Sequence, residues 1–260
     1  MPTAAGSLPV SGVALHLREP TGDDELIALE QGPLAAATML ALAQRLGRDD
    51  AGRPIEWAQL PAVDLAAGAL LIRRAWLGER IRTETICPTP GCAEPIDVSF
   101  RISDYLAHHR SAQVRGLEAT DDGWYAVRGG SIAFRVPTID DVVTAQVEHR
   151  DGDWLGGRCL RPASAPPADR RRAERMLERV APRLDGPITG HCPACDASVE
   201  LHFDPIGYVV SELRDVSAGL YADVHELAFA YRWSEAAILG LSRGRRHSYV
   251  AMIRGELALA

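Results

Sequence analysis

Four of the five cysteines fall in two close pairs, CPTPGC at residues 87–92 and CPAC at residues 192–195, and no other feature restricts this chain as strongly. An odd cysteine count without a secretory leader makes a disulfide framework the weaker reading. The spacings C-x4-C and C-x2-C, each with proline after the first thiol, suit two knuckles that share one zinc ion. Pro88 fixes the backbone behind the first thiol, and Gly91 can take the positive φ that turns backbone amides toward sulfur. Asp196 stands where such a turn often carries a small residue, and aspartate tolerates the left-handed region better than most. The competing reading is two unrelated pairs of reduced cysteines.

Each pair is followed by alternating apolar residues, Ile96, Val98 and Phe100 after the first and Val199, Leu201 and Phe203 after the second. Both runs read as short strands. A cysteine hairpin followed by a strand, occurring twice, is the layout of a zinc ribbon, with Cys87, Cys92, Cys192 and Cys195 as ligands of one structural ion. Four thiolates close the shell, whereas a catalytic zinc keeps a position open for water. Cys159 has no partner at ligand spacing and reads as a free thiol. His191 and His202 flank the second pair and read as neighbours of the site or surface residues. No H-x-E precedes the second pair, so a zinc deaminase is excluded. HExxH, GxSxG, a phosphate loop and a dinucleotide fingerprint are also missing. The chain therefore reads as non-enzymatic, with no small-molecule substrate.

The fold class expected is α+β. Val13, Leu15 and Leu17 alternate as a strand before REPTGDDE, which opens an acidic helix. Pro33–Leu46 reads as a helix with Leu34, Met39, Leu42 and Leu46 near one face, and the segment after Pro61 as a central helix. Residues 1–86 form an N-terminal strand plus helices, and 87–100 and 187–204 are the two halves of the ribbon. Between them, 101–186 is an α/β insertion with a hairpin at 123–128 and 131–136. Thr138 then caps a helix with Asp141 in a capping box, and a Pro/Ala-rich linker precedes a charged helix from Ala168 to Val180. Residues 205–260 form a C-terminal array of three short helices, with Ser234 and Ser242 as caps.

Net charge is −7, which weighs against nucleic acid or an anionic membrane as a partner of the whole chain. No apolar run reaches the roughly 18 residues of a membrane span. The start MPTAAGSLPVSG lacks the basic residues and apolar centre of a signal peptide, so a cytoplasmic protein is expected.

After the cysteines, the most specific stretch is HELAFAYRWSEAAILGL, His225 to Leu241, followed by RGRRHSYVAMI. With REPTGDDELIALE, AWLGERI before a cysteine pair, FRVPTIDDV and ELHFDP, this order of motifs resembles the T-even phage baseplate hub assembly chaperone family in its zinc-containing, injection-system form. The resemblance spans most of the chain and rests on the order of the motifs. It implies a non-enzymatic assembly or structural role at the baseplate of a contractile tail, with baseplate, hub or tail proteins as partners. Within that reading, Trp233, Tyr249 and Met252 are the candidate apolar contacts, and Arg243, Arg245 and Arg246 orient the partner. The alternative is a nucleic-acid-binding regulator that uses the ribbon and a helix-turn-helix-like tail, with Arg243, Arg245, Arg246 and Arg254 on phosphates. Asp97, Glu200 and Asp204 on or beside the ribbon strands make a poor surface for it.

Overall fold

The computed structural model describes residues 3–120, 122–130 and 132–255. In chain order, β1 (Thr3–Ser7) and β2 (Ala14–Leu17) lead into α1 (Gly22–Glu30), α2 (Ala35–Leu46), β3 (Gly47–Arg48), a 3-10 turn at Trp57–Gln59 and α3 (Ala62–Leu77). The first cysteine pair joins β4 (Arg80–Ile86) to β5 (Pro95–Arg101), and α4 (Ile102–His108) follows. Next come β6 (Leu117–Ala119), β7 (Trp124–Val127), β8 (Ala133–Arg135), α5 (Ile139–Val147), α6 (Gly152–Cys159), β9 (Leu160–Arg161) and α7 (Pro167–Val180). The second pair joins β10 (Gly186–His191) to β11 (Ser198–Phe203), and α8 (Pro205–Ser217), α9 (Leu220–Tyr231), α10 (Glu235–Leu239) and α11 (Arg243–Ile253) complete the described chain. These elements form two compact units, each assembled from separate stretches: Met1–Gly6, Ala14–Ile55 and Ile206–Ala260 in the first, Ser7–Val13 and Glu56–Pro205 in the second.

In the first unit, β1, β2 and β3 form a sheet in that order. The alternation of β2 buries Leu15 and Leu17, and Met39, Leu42 and Leu46 of α2 are buried too, while Leu34 just ahead of the helix is 58% exposed. Helix α1 begins as REPTGDDE predicts, because Thr21 and Asp24 cap each other's backbone amides. Asp24 also accepts both terminal nitrogens of Arg18, at 2.7 and 2.6 Å, and Nε of Arg45 at 2.9 Å, so strand, cap and second helix meet at one buried carboxylate. The expected C-terminal array is present as α9, α10 and α11, packed around Leu227, Ile238 and Val250. It is laid on α1: the Gly22 amide donates to the Leu241 carbonyl at 3.1 Å. A Cβ on Gly22 would lie 2.9 Å from the Leu239 backbone, so only glycine allows this approach.

In the second unit, α3 is the central helix its composition predicts, with Leu65, Leu70, Leu71 and Ile72 buried. Gly68 leaves room for the Trp57 ring, which a Cβ would meet at 2.8 Å. Near the start of α3, Asp64 accepts the amides of Val10 and Ser11 at 3.0 and 2.9 Å and fixes the 7–13 segment to this unit. The hairpin read at 123–136 is β7 and β8, the centre of an antiparallel sheet ordered β6, β7, β8, β9. Its apolar face packs with Ala173 of α7 around Phe134, Val127 and Ile132. The Thr138–Asp141 capping box opens α5 as read, and Asp141 holds Arg135 and Arg158 as Asp24 holds Arg18 and Arg45.

One boundary moves. Residues 101–186 are no separate insertion, because Val136 and Val180 share a core with Val10 and Val63 from the N-terminal part of the chain. The two ribbon halves belong to this unit as well. Among the described residues, no helix is long and apolar enough to cross a membrane.

Candidate metal centre

Each cysteine pair sits at the tip of an antiparallel hairpin. In the first, β4 and β5 pair from Arg80 opposite Arg101 to Ile86 opposite Pro95; in the second, β10 and β11 pair from Gly186 opposite Phe203 to His191 opposite Ser198. The two turns close in the same way. The Cys87 amide donates to the Glu94 carbonyl and the Cys192 amide to the Ala197 carbonyl, both at 2.9 Å. The residue after each second cysteine is left-handed, Ala93 with φ 50° and Asp196 with φ 59°, and Gly91 takes φ 83° as its place in the turn requires. Alternation after the cysteines revealed β5 and β11. The strands before them carry a weaker signal, since RIRTETI and GPITGH alternate with few large apolar residues.

The four expected ligands come together. The sulfurs of Cys87, Cys92, Cys192 and Cys195 all lie within 4.8 Å of one another. Between the pairs, Cys87 Sγ is 3.6 Å from Cys195 Sγ, and Cys92 Sγ is 3.8 Å from Cys192 Sγ. A tetrahedral ion with sulfur ligands at about 2.3 Å has ligand-to-ligand edges of about 3.8 Å, so the donor set fits a four-coordinate thiophilic cation. Cys87 and Cys192 are buried with Val199, and Ile96 packs beside them, which gives the cluster an apolar floor.

The thiols do not titrate alike. The hydroxyl and amide of Thr89 draw the Cys87 thiol down to about 6. At Cys92 the Glu94 amide favours the thiolate, but the neighbouring sulfurs and burial together outweigh it and push the thiol up to about 12. Four thiolates at this spacing repel one another, and a divalent cation at their centre removes that repulsion. His191 is no ligand: it is exposed, with Nδ1 3.2 Å from the Asp196 carbonyl. His202 is exposed on β11 and also lies outside the cluster. Cys159 is buried with no sulfur partner, and burial pushes its thiol up to about 11.

The candidate partner residues separate into two groups. Trp233 is half-buried, stacked on Tyr231 with centroids 5.0 Å apart and edge-on to Tyr249 at the same distance. Met252 is 56% exposed beside them in sequence, and Arg245 is exposed while Arg243 is half-buried. Arg246 has to be withdrawn as a partner contact. It is fully buried, donating to both oxygens of Glu25 at 2.9 and 2.8 Å and to Asp223 at 3.2 Å, so its charge pins α11 to α1 and α9. Arg254, the fourth phosphate contact of the regulator reading, is paired with Glu226 at 2.8 Å.

No protein-family model matches this chain, and neither a curated protein nor a solved structure matches it.

Proposed function

We propose that the protein is a non-enzymatic assembly chaperone or structural component of the baseplate of a contractile, phage-tail-like injection system, held together by one structural zinc ion. The observation that carries the zinc is the sulfur tetrahedron, whose edges suit zinc and whose four positions are all protein thiolates. Such a site has no place for a reacting water, which supports a role in architecture. The baseplate assignment is supported by the order of motifs along the chain. The aromatic cluster of Trp233 and Tyr249, the exposed Met252, and Arg243 and Arg245 are the surface offered to a hub or tail protein. The regulator reading is weakened because Arg246 is buried on Glu25 and Asp223, and Arg254 is paired at the surface with Glu226.

The zinc and the partner are tested separately. Elemental analysis of the purified chain is expected to give one zinc per molecule, and a metal-free protein with full thermal stability would overturn the zinc assignment. Co-expression with the hub and baseplate subunits of a contractile system should raise their soluble assembly. Arg245→Ala is expected to reduce capture at least several-fold without altering the melting temperature. Tight, salt-sensitive retention of DNA on a filter would instead favour the regulator.

A further inference from the structure

The two knuckles are related by an internal repeat. Pro61 and Pro166 cap the helices that precede them, α3 and α7, and the first cysteine of each knuckle, Cys87 or Cys192, lies at the same distance beyond. After the second cysteines, Ile96, Val98, Phe100 and Tyr105 match Val199, Leu201, Phe203 and Tyr208 in position. Exchanging the knuckles therefore carries the contact of Cys87 with Cys195, at 3.6 Å, onto that of Cys192 with Cys92, at 3.8 Å. Both contacts join one knuckle to the other. Exposure breaks the equivalence. Cys87 and Cys192 are buried and Cys92 is half-buried, whereas Cys195 alone of the four is exposed, on a turn whose Pro193, Ala194 and Asp196 are exposed as well.

From this we infer that the metal centre is a peroxide-sensitive site, at which Cys195 is oxidised first and the four thiolates convert to two disulfides that run between the knuckles, Cys87 to Cys195 and Cys92 to Cys192. The inference rests on the four-thiolate zinc reading of that site. A cysteine is open to peroxide when its thiolate is accessible and a second thiolate stands beside it to resolve the product. Cys195 meets both conditions, with Cys87 as its neighbour. Its sulfur attacks one oxygen of a hydroperoxide, the O–O bond breaks and hydroxide leaves, which makes Cys195 a sulfenic acid. The Cys87 thiolate then attacks that sulfur, the S–S bond forms and a second hydroxide leaves. With two protons from water, two thiolates and one hydrogen peroxide give one disulfide and two waters, two electrons passing from sulfur to oxygen. The site, left with two of its thiolates, gives up its metal, and a second peroxide joins Cys92 to Cys192 in the same way.

The pairing decides what oxidation does to the fold. A bond within a knuckle, such as Cys192 to Cys195, ties one turn to itself and lets the two hairpins part once the metal has left. A bond from Cys87 to Cys195 spans 108 positions of the chain and holds the β4–β5 hairpin to the β10–β11 hairpin, as the ion does. Each sulfur pair has only to close from its present contact to about 2.05 Å, at the tips of turns, while Ile96 and Val199 stay packed beneath. Oxidation therefore replaces a metal staple by a covalent one. A chain built this way keeps its two hairpins joined both in reducing surroundings, where thiolates persist, and in oxidising ones, where disulfides do. Cys159 is buried without a sulfur partner and takes no part.

Hydrogen peroxide added to the zinc-loaded full chain tests this, with Cys159→Ser introduced so that only the four site thiols remain; should that variant fail to fold, the wild type is mapped in the same way. Zinc release followed with a metal-sensitive dye is expected to run to completion. Sulfenic acid trapped with dimedone at early times should sit on Cys195, and peptide mapping without reduction should find the Cys87–Cys195 bond first and the Cys92–Cys192 bond after it. Circular dichroism of the oxidised, metal-free protein should match that of the zinc form, and dithiothreitol with zinc should restore the starting state. Zinc that peroxide does not release, trapping on Cys92 before Cys195, disulfides within a knuckle, or loss of the helical signal once the metal is out would each overturn the proposal. A chain purified without metal would overturn the zinc reading instead, and mapping its oxidised thiols would still decide the pairing.

Discussion

Asp24 and Asp141 show how much one side chain can be asked to hold. Each is a helix cap, a strand anchor and the acceptor for two arginines. Burial alone pushes each carboxyl up, but the arginine hydrogen bonds and the threonine amide together outweigh it, so both end below the ordinary 3.8. A carboxyl depressed in the folded state stabilises the fold above its unfolded pKa and loses that contribution as pH falls through the folded value. The wild type should therefore lose stability steadily below about pH 4, and Asp141→Asn should flatten that slope in acid titrations followed by circular dichroism. At neutral pH the same change strands Arg135 beside a neutral amide and should cost on the order of 3 kcal/mol in urea unfolding, an undiminished midpoint being the contrary result.

At the scale of elements, the caps give a second check. Ser234 accepts the Ala237 amide at the start of α10, so Ser234→Ala should cost about 1 kcal/mol, seen as a small drop in melting temperature. Gly22→Ala is expected to cost more, because its methyl group meets the Leu239 backbone and would lift the C-terminal helices from α1. Much of this level was legible in the sequence. Caps, β-alternation and the cysteine turns are written in adjacent residues, so α1, α5, the hairpin of β7 and β8 and the three last helices could be placed from the chain alone. What escaped depends on partners distant in the chain. The strands β4 and β10 are visible only through the strands they pair with, and the burial of Arg246 follows from Glu25, which lies across the fold; α8, by contrast, does carry a local signal, since Ile206, Val209, Val210 and Leu213 step at helical spacing behind Pro205. An arginine-rich helix looks like a surface until its carboxylates are found.

For the whole molecule, the metal centre should dominate stability. Cys192→Ser is expected to abolish stoichiometric zinc and to remove the cooperative unfolding of the second unit, since a closed structural site can contribute on the order of 10 kcal/mol or more of apparent folding free energy. Survival of that transition without metal would show that the apolar core of Phe134, Val136 and α3 is enough. The four ligands were readable because spacing and turn residues are local, but their joining was an inference from chemistry until the hairpins placed the sulfurs together. Both units also draw on early and late stretches of the chain. On the ribosome, then, Cys87 and Cys92 emerge with their sulfurs unmatched and must wait for Cys192 and Cys195, a delay of roughly 5–20 s at ordinary elongation rates. With zinc bound as proposed, its capture would act as a quality-control step: a nascent chain that stops short of its second knuckle leaves two bare thiols on display, a mark by which an unfinished molecule differs from a complete one.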